Sequence, residues 1–402
     1  MPLSARRAAN AAAIAVLPAS LLIAGATMAT AAPAATGAAA GHHPAPRYPV
    51  RQILSGMKLS HTFVAAGSAS RHSEPLTQPD DITVLGHDLF TGFQNGVGPQ
   101  GQAATDGNLD STIVEFTSGG RVVGQWNIKG KCDGLTADPA RRLVIATVNE
   151  DARSSVYTIR PGAPAGEQVR HYRYDKQPLP HNGGTDAISI YHGQVLISAS
   201  APGTAGAAAP QPAYPAVYTV TFDVRTHVAR VRPLFYDEAS ATVANLGAAD
   251  QGKAVRLALT DPDSNEVVPH SAARFAGDFM LTSQGDKEQI FVRRDGWPAR
   301  GRLWVLRLSQ SVDDSAWATS RSGRLYATDH DGDTVDVVTG RFRTGSIFVA
   351  ATPCDASNAP ATCPGPGFPA NYVGSLNPWT GQISGVSLHG PDLQPQGMLF
   401  VR

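Results

Sequence analysis

Charge is sparse in this 402-residue chain, and it cancels: Asp, Glu, Lys and Arg make up 16% of the residues, 33 basic against 33 acidic. A net charge of zero argues against the clustered positive field that nucleic-acid binding needs, and no nucleic-acid partner is expected. After residue 32 no stretch is long and apolar enough to span a bilayer, so no membrane span is expected once the leader is removed. The sequence has no Gly-x-Ser-x-Gly elbow, no His-Glu-x-x-His, no phosphate loop and no dinucleotide fingerprint. These absences argue against the usual nucleophilic hydrolases and nucleotide-dependent enzymes, and no nucleotide cofactor is expected. Aromatic residues are few, at 7%, whereas Gly (40) and Pro (30) are plentiful. That balance suits many short strands joined by many turns and does not suit a helical bundle.

Residues 1–32 have the form of an export signal. Arg6 and Arg7 precede an Ala-rich apolar stretch containing Leu17, Leu21, Leu22 and Ile23, and small residues run up to Pro33. Pro18 interrupts the apolar run, which favours a cleaved leader over an anchor. Residues 33–50 are rich in Ala, Gly, Pro and His and read as a flexible tether. The expected product is a secreted, monomeric protein with one domain over 51–402. In an oxidising compartment Cys354 and Cys363, which flank the loop DASNAPAT, are spaced for a local disulfide. Cys132 is left over and reads as a buried free thiol.

The body of the chain repeats. PDDITVLGHDLFTGFQN (79–95), CDGLTADPARRLVIATVNE (132–150) and GTDAISIYHGQVLISAS (184–200) each begin at an acid, alternate briefly, turn, and enter a more apolar run. Weaker copies occupy 264–284 and 312–329, and PQGMLFV (395–401) resembles one more first strand. Asp81 to Asp133 is 52 residues and Asp133 to Asp186 is 53; setting aside 237–262 as an excursion restores the same interval to Asn265. Four short strands per repeat of this length predict an all-β fold: a β-propeller of four-stranded antiparallel blades, six in number with seven as the alternative. The strands MKLSHTFV (57–64) and QGMLFV (396–401) are expected to share a closing blade.

Strand starts in a propeller surround the central channel on one face. The repeat therefore predicts a ring of Asp80 or Asp81, Asp133, Asp186, Asn265 or Glu266, and Asp313 or Asp314. Asp81, Asp133, Asp186, Asn265, Glu266 and Asp313 are the candidate ligands for Ca2+ or another divalent cation, which favour such oxygen donors. Each acid could instead cap its own turn. His181 and His270 are candidate general bases near the rim. Asn149 and Glu150 end a second strand and read as turn formers away from the ring. DHDGDT (329–334) reads as a hairpin turn, since Gly340 stands where a calcium loop needs its bidentate Glu.

The run CDGLTADPARRLVIAT resembles the first two blade strands of the NHL-repeat, gluconolactonase and senescence-marker-protein superfamily, and the likeness in architecture extends over about residues 75–401. The runs QPDDI, NEDARSSVYTI, PLPHNGGTDAISI and DPDSNEVVP also resemble a group of secreted bacterial propellers with no assigned activity. In the lactonases of that superfamily, Glu, Asn and Asp at the channel mouth bind one divalent cation. The resemblance places Asp133 at the Asp of the Pro-Asp-Gly strand start and Asp81 where an Asn is usual, and it finds no counterpart of the Glu-Gly-Pro segment. The expected function is binding of a small molecule, glycan or protein at an acidic mouth. A metal-dependent lactonase or esterase and a cell-surface scaffold are the alternatives.

Overall fold

The computed structural model describes residues 47–202, 213–293, 302–354 and 371–402. The expected leader and most of the tether therefore lie outside the described residues, as does Cys363 and with it the expected Cys354–Cys363 bond. Among the described residues there is no α-helix, and none long and apolar enough to cross a membrane.

Six four-stranded antiparallel blades form the body. The innermost strands of blades 1 to 6 are Pro79–Leu85, Cys132–Asp138, Ile188–Tyr191, Pro262–Val267, Val312–Trp317 and Pro395–Val401. Each contacts the next, and the sixth returns to the first, so the ring is closed. Among the described residues the core divides into six apolar clusters, each lying between two neighbouring blades. This explains runs such as Leu143–Val148 (LVIATV), where the two-residue strand period aims alternate side chains at opposite wedges. Val144, Ala146 and Val148 face blade 1, while Leu143 and Ile145 face blade 3. Both faces are buried, so both must be apolar.

The closing blade differs from expectation. Its inner strand, Pro395–Val401, pairs with Arg324–Asp329, then Thr334–Val338, then Tyr48–Ser55. The N-terminal contribution is therefore Tyr48–Ser55, which includes the last residues of the expected tether. Residues 57–64 do not enter the blade: Ser60–Val64 pairs with Arg71–Pro75 in a separate hairpin. Gln125 Nε2 and Asn127 Nδ2 donate to the Ser60 and Thr62 carbonyls, each at 2.9 Å, and fasten this hairpin to blade 1.

The copy at 312–329 also divides. Val312–Trp317 pairs in blade 5 with Ile347–Ala351, while the hairpin over Arg324–Val338 that follows it in sequence belongs to blade 6. DHDGDT is the turn of that hairpin. Residues 237–262 do stand apart from the four-stranded pattern. Their strands Ser240–Val243 and Ala254–Arg256 extend the outer edge of blade 4, beside Leu303–Arg307.

Candidate functional site

A β-bulge recurs at the head of the innermost strands. Pro79 pairs with Phe93 and Ile82 with Thr91, so Asp80 and Asp81 together oppose one residue. The same two-against-one count places Asp133-Gly134, Asp263-Ser264, Asp313-Asp314 and Gln396-Gly397 out of register. A bulge bends its strand and re-aims the extra side chain. Around the channel these side chains converge on one cavity of about 390 Å³. Asp80, Asp81, Asp133, Glu150, Asp186, Asp263, Glu266, Asp313 and Asp314 line it, with Lys131 as the only basic residue there among the described residues.

The acids have different partners. Asp81 accepts the N–H of Ile82 at 2.6 Å and that of Leu135, one blade on, at 2.7 Å. Asp314 repeats this between blades 5 and 6, accepting from Ser315 and Met398, both at 2.6 Å. These two carboxylates clasp neighbouring blades. Asp133 is held by Lys131 Nζ at 2.8 Å, Gln94 Nε2 at 3.3 Å and the Glu150 N–H at 3.1 Å, and Lys131 also pairs with Glu150. Asp186 and Asp263 are close enough for each carboxyl to shift the titration of the other. Asp263 Oδ2, Ser264 Oγ, Asn265 Oδ1 and Gln396 Oε1 are buried with no hydrogen-bond partner among the described residues.

Burial dominates the electrostatics. It raises Asp80, Asp81, Asp133, Asp263 and Glu266 well above the usual carboxylate range, and neighbouring carboxylates add to the rise. Burial likewise pushes Asp186 and Asp314 up to about 7. For Lys131 burial favours the neutral amine, but Asp133 and Glu150 outweigh it and hold the ammonium charged.

All six predicted ligand residues (Asp81, Asp133, Asp186, Asn265, Glu266 and Asp313) line this one cavity. Asn265 also donates to the Ala187 carbonyl and to Ser198 Oγ, tying blade 4 to blade 3. The structure does not bring the two histidines to the cavity. His181 is fully buried, with Nδ1 2.8 Å from the Tyr218 hydroxyl and Nε2 2.7 Å from the Gly184 carbonyl; burial pushes it down to about 4. His270 follows the end of its innermost strand and so lies toward the opposite face. Cys132 is buried and free, and burial raises its thiol.

Three lining residues escaped the sequence reading. Glu150 was placed away from the ring, yet Cys132 pairs antiparallel with Val148, so the end of the second strand returns to the head of the first. Lys131 stands two residues before the predicted ring residue Asp133. Asp263 is the true counterpart of Asp80 and Asp133, and its signal is the shared Pro-acid-x start of Pro79-Asp80-Asp81 and Pro262-Asp263-Ser264. The donors are hard oxygens of the kind Ca2+ takes. Among the described residues, no three His, Cys, Asp or Glu side chains close into a ready-made metal cage.

No family model and no curated protein matches this sequence. Among solved structures the chain is similar to streptogramin B lyase (TM-score 0.39, 10% identity, covering 85% of this chain and 91% of that one). It is also similar to a protein from Lactobacillus plantarum (0.40, 10%, 83% and 92%) and to hydrazine synthase of Kuenenia stuttgartiensis (0.36, 13%, 78% and 69%). Likeness at this level carries no chemistry, and the propeller architecture rests on the strand pairing described above.

Proposed function

We propose that this protein is an exported ligand-binding propeller whose acidic mouth takes a positively charged ligand, with a divalent cation such as Ca2+ as the simplest occupant. One observation carries the reading: nine carboxyl-bearing side chains and a single ammonium group face one cavity of about 390 Å³. Once deprotonated, such a cleft focuses negative potential and concentrates cations. Asp81 and Asp314 are committed to clasping blades, and Asp133 to Lys131. Asp80, Asp186, Asp263 and Glu266 are the acids through which a ligand would be held, with the buried Asn265 Oδ1 and Gln396 Oε1 as neutral donors of electron density. A small molecule, glycan or protein would engage the mouth through its own positive charge or through hydroxyls shared with the cation.

A hydrolytic reading, in line with the lactonase resemblance, draws on Asp186. A carboxyl pushed up to about 7 is poised to exchange protons near neutrality, as a general base must. Calorimetric titration with Ca2+ and with spermidine, at pH 7.5 and pH 5, tests the binding function. Binding is expected at pH 7.5, with at least tenfold loss in an Asp186→Asn/Asp263→Asn variant that still melts cooperatively. If neither cation binds the wild-type protein, the proposal fails. A parallel panel of lactones and esters, with and without chelator, separates the second reading, which requires turnover.

A further inference from the structure

On the face opposite the acidic mouth, arginines outnumber acids around a second cavity. Asp138 ends the innermost strand of blade 2, so the turns beyond it point away from the mouth. There blades 2 and 3 diverge around a cavity of about 680 Å³, well within the size of small-molecule sites. Its inner wall is apolar, with Ile145 and Tyr172 from blade 2 and Val195 and Phe222 from blade 3. The Tyr172 and Phe222 rings meet edge to face, 4.9 Å apart. The outer strands of the two blades pair in parallel, Arg173 with Val228, and tie the blades together at the outer edge.

Three arginines and two acids, Asp138 and Glu167, line this cavity, and the arginines are not equivalent. Arg141 is engaged, with Nη1 2.6 Å from Asp138 Oδ2. Arg160 and Arg170 lie on neighbouring antiparallel strands and on one side of them. Thr158 pairs directly with Arg170, and Arg160 stands two residues beyond Thr158, its N–H donating to the Gln168 carbonyl at 2.7 Å. That register makes the two arginines diagonal neighbours, with side-chain origins about 7 Å apart. Neither has a carboxylate partner within ion-pair distance among the described residues. Two guanidinium groups so placed repel each other, and a carboxylate or phosphate between them would relieve the repulsion with forked hydrogen bonds.

We propose that this inter-blade cavity binds a small amphipathic anion, its charged head between Arg160 and Arg170 and its apolar body against Tyr172 and Phe222. Calorimetry on the full chain with octanoate, octyl phosphate and octan-1-ol is the test. Both anions are expected to bind one to one, and the alcohol at least tenfold more weakly. Because both arginines are exposed, an Arg160→Gln/Arg170→Gln variant should melt as wild type yet lose at least tenfold in affinity for octanoate. Asp186→Asn, at the other mouth, should leave octanoate binding unchanged, which keeps this site separate from the cation site. Failure of both anions to bind, equal binding of the alcohol, or unchanged octanoate affinity in the double variant would each overturn the proposal.

Discussion

At the scale of single residues, Asp186 shows what the ring costs the fold. Its carboxyl titrates near 3.9 in an unfolded chain and at about 7 in the folded one. Between those values the folded protein holds the extra proton. Stability from this group is therefore complete below about pH 4 and is lost as pH rises through about 7. Asp314 adds in the same direction. In a chelating buffer the melting temperature should fall by several degrees from pH 5 to pH 8, and Asp186→Asn should flatten that slope. A melting temperature independent of pH over this range would contradict the assignment. Part of the ring was legible in the sequence because strand heads repeat an acid at 52 and 53 residues. Glu150 was not legible, since only the antiparallel return of the second strand brings it to the first. The histidines show the converse: a loop position in the sequence gave no sign that Tyr218 and two carbonyls enclose His181.

At the scale of elements, the bulge at the head of an innermost strand couples neighbouring blades. Gly134 and Gly397 occupy the second bulge position in blades 2 and 6. A β-carbon on Gly134 would lie 2.5 Å from Thr147 Oγ1 and 2.7 Å from the Ala187 Cα. One on Gly397 would lie 2.8 Å from the Asp81 Cα. The hydroxyls opposite repeat as well. Thr147 accepts the Gly134 N–H and donates to the Asp186 carbonyl, while Thr328 accepts the Gly397 N–H and donates to the Asp80 carbonyl. Gly134→Ala or Gly397→Ala must push adjacent backbones apart, at a cost of about 1–3 kcal/mol. Urea unfolding should show this as a lower midpoint at unchanged slope, and a midpoint equal to wild type would remove the role given to the glycines. The strands themselves were readable, because a blade buried on both faces leaves continuous apolar runs. The bulges were not: an extra residue in a ladder changes register without altering composition.

At the scale of the molecule, closure depends on three separated parts of the chain. Blade 6 takes its inner strand from residues 395–401, its middle hairpin from 324–338 and its next strand from 48–55. Removing residues 1–55 would strip Thr334–Val338 of its outer partner and leave a mostly apolar edge strand open to other chains. Such a truncation should aggregate on purification or melt at least 10 °C lower, as seen by light scattering and circular dichroism. A monomeric truncation with the wild-type melting temperature would show that the N-terminal strand is dispensable for closure.

What the sequence by itself determined is local and periodic: strands, turns, the blade interval, and an acid at one end of most innermost strands. These follow from side-chain alternation and from the fixed length of four strands with their turns. Only the tertiary structure decided which strands share a blade. The segment following Val312–Trp317 crosses to blade 6 because pairing is set by the long-range fit of backbone edges, and sequence order does not fix that. The same holds for charge. Net neutrality was visible at once, but the gathering of nine acids at one mouth exists only once six blades share an axis.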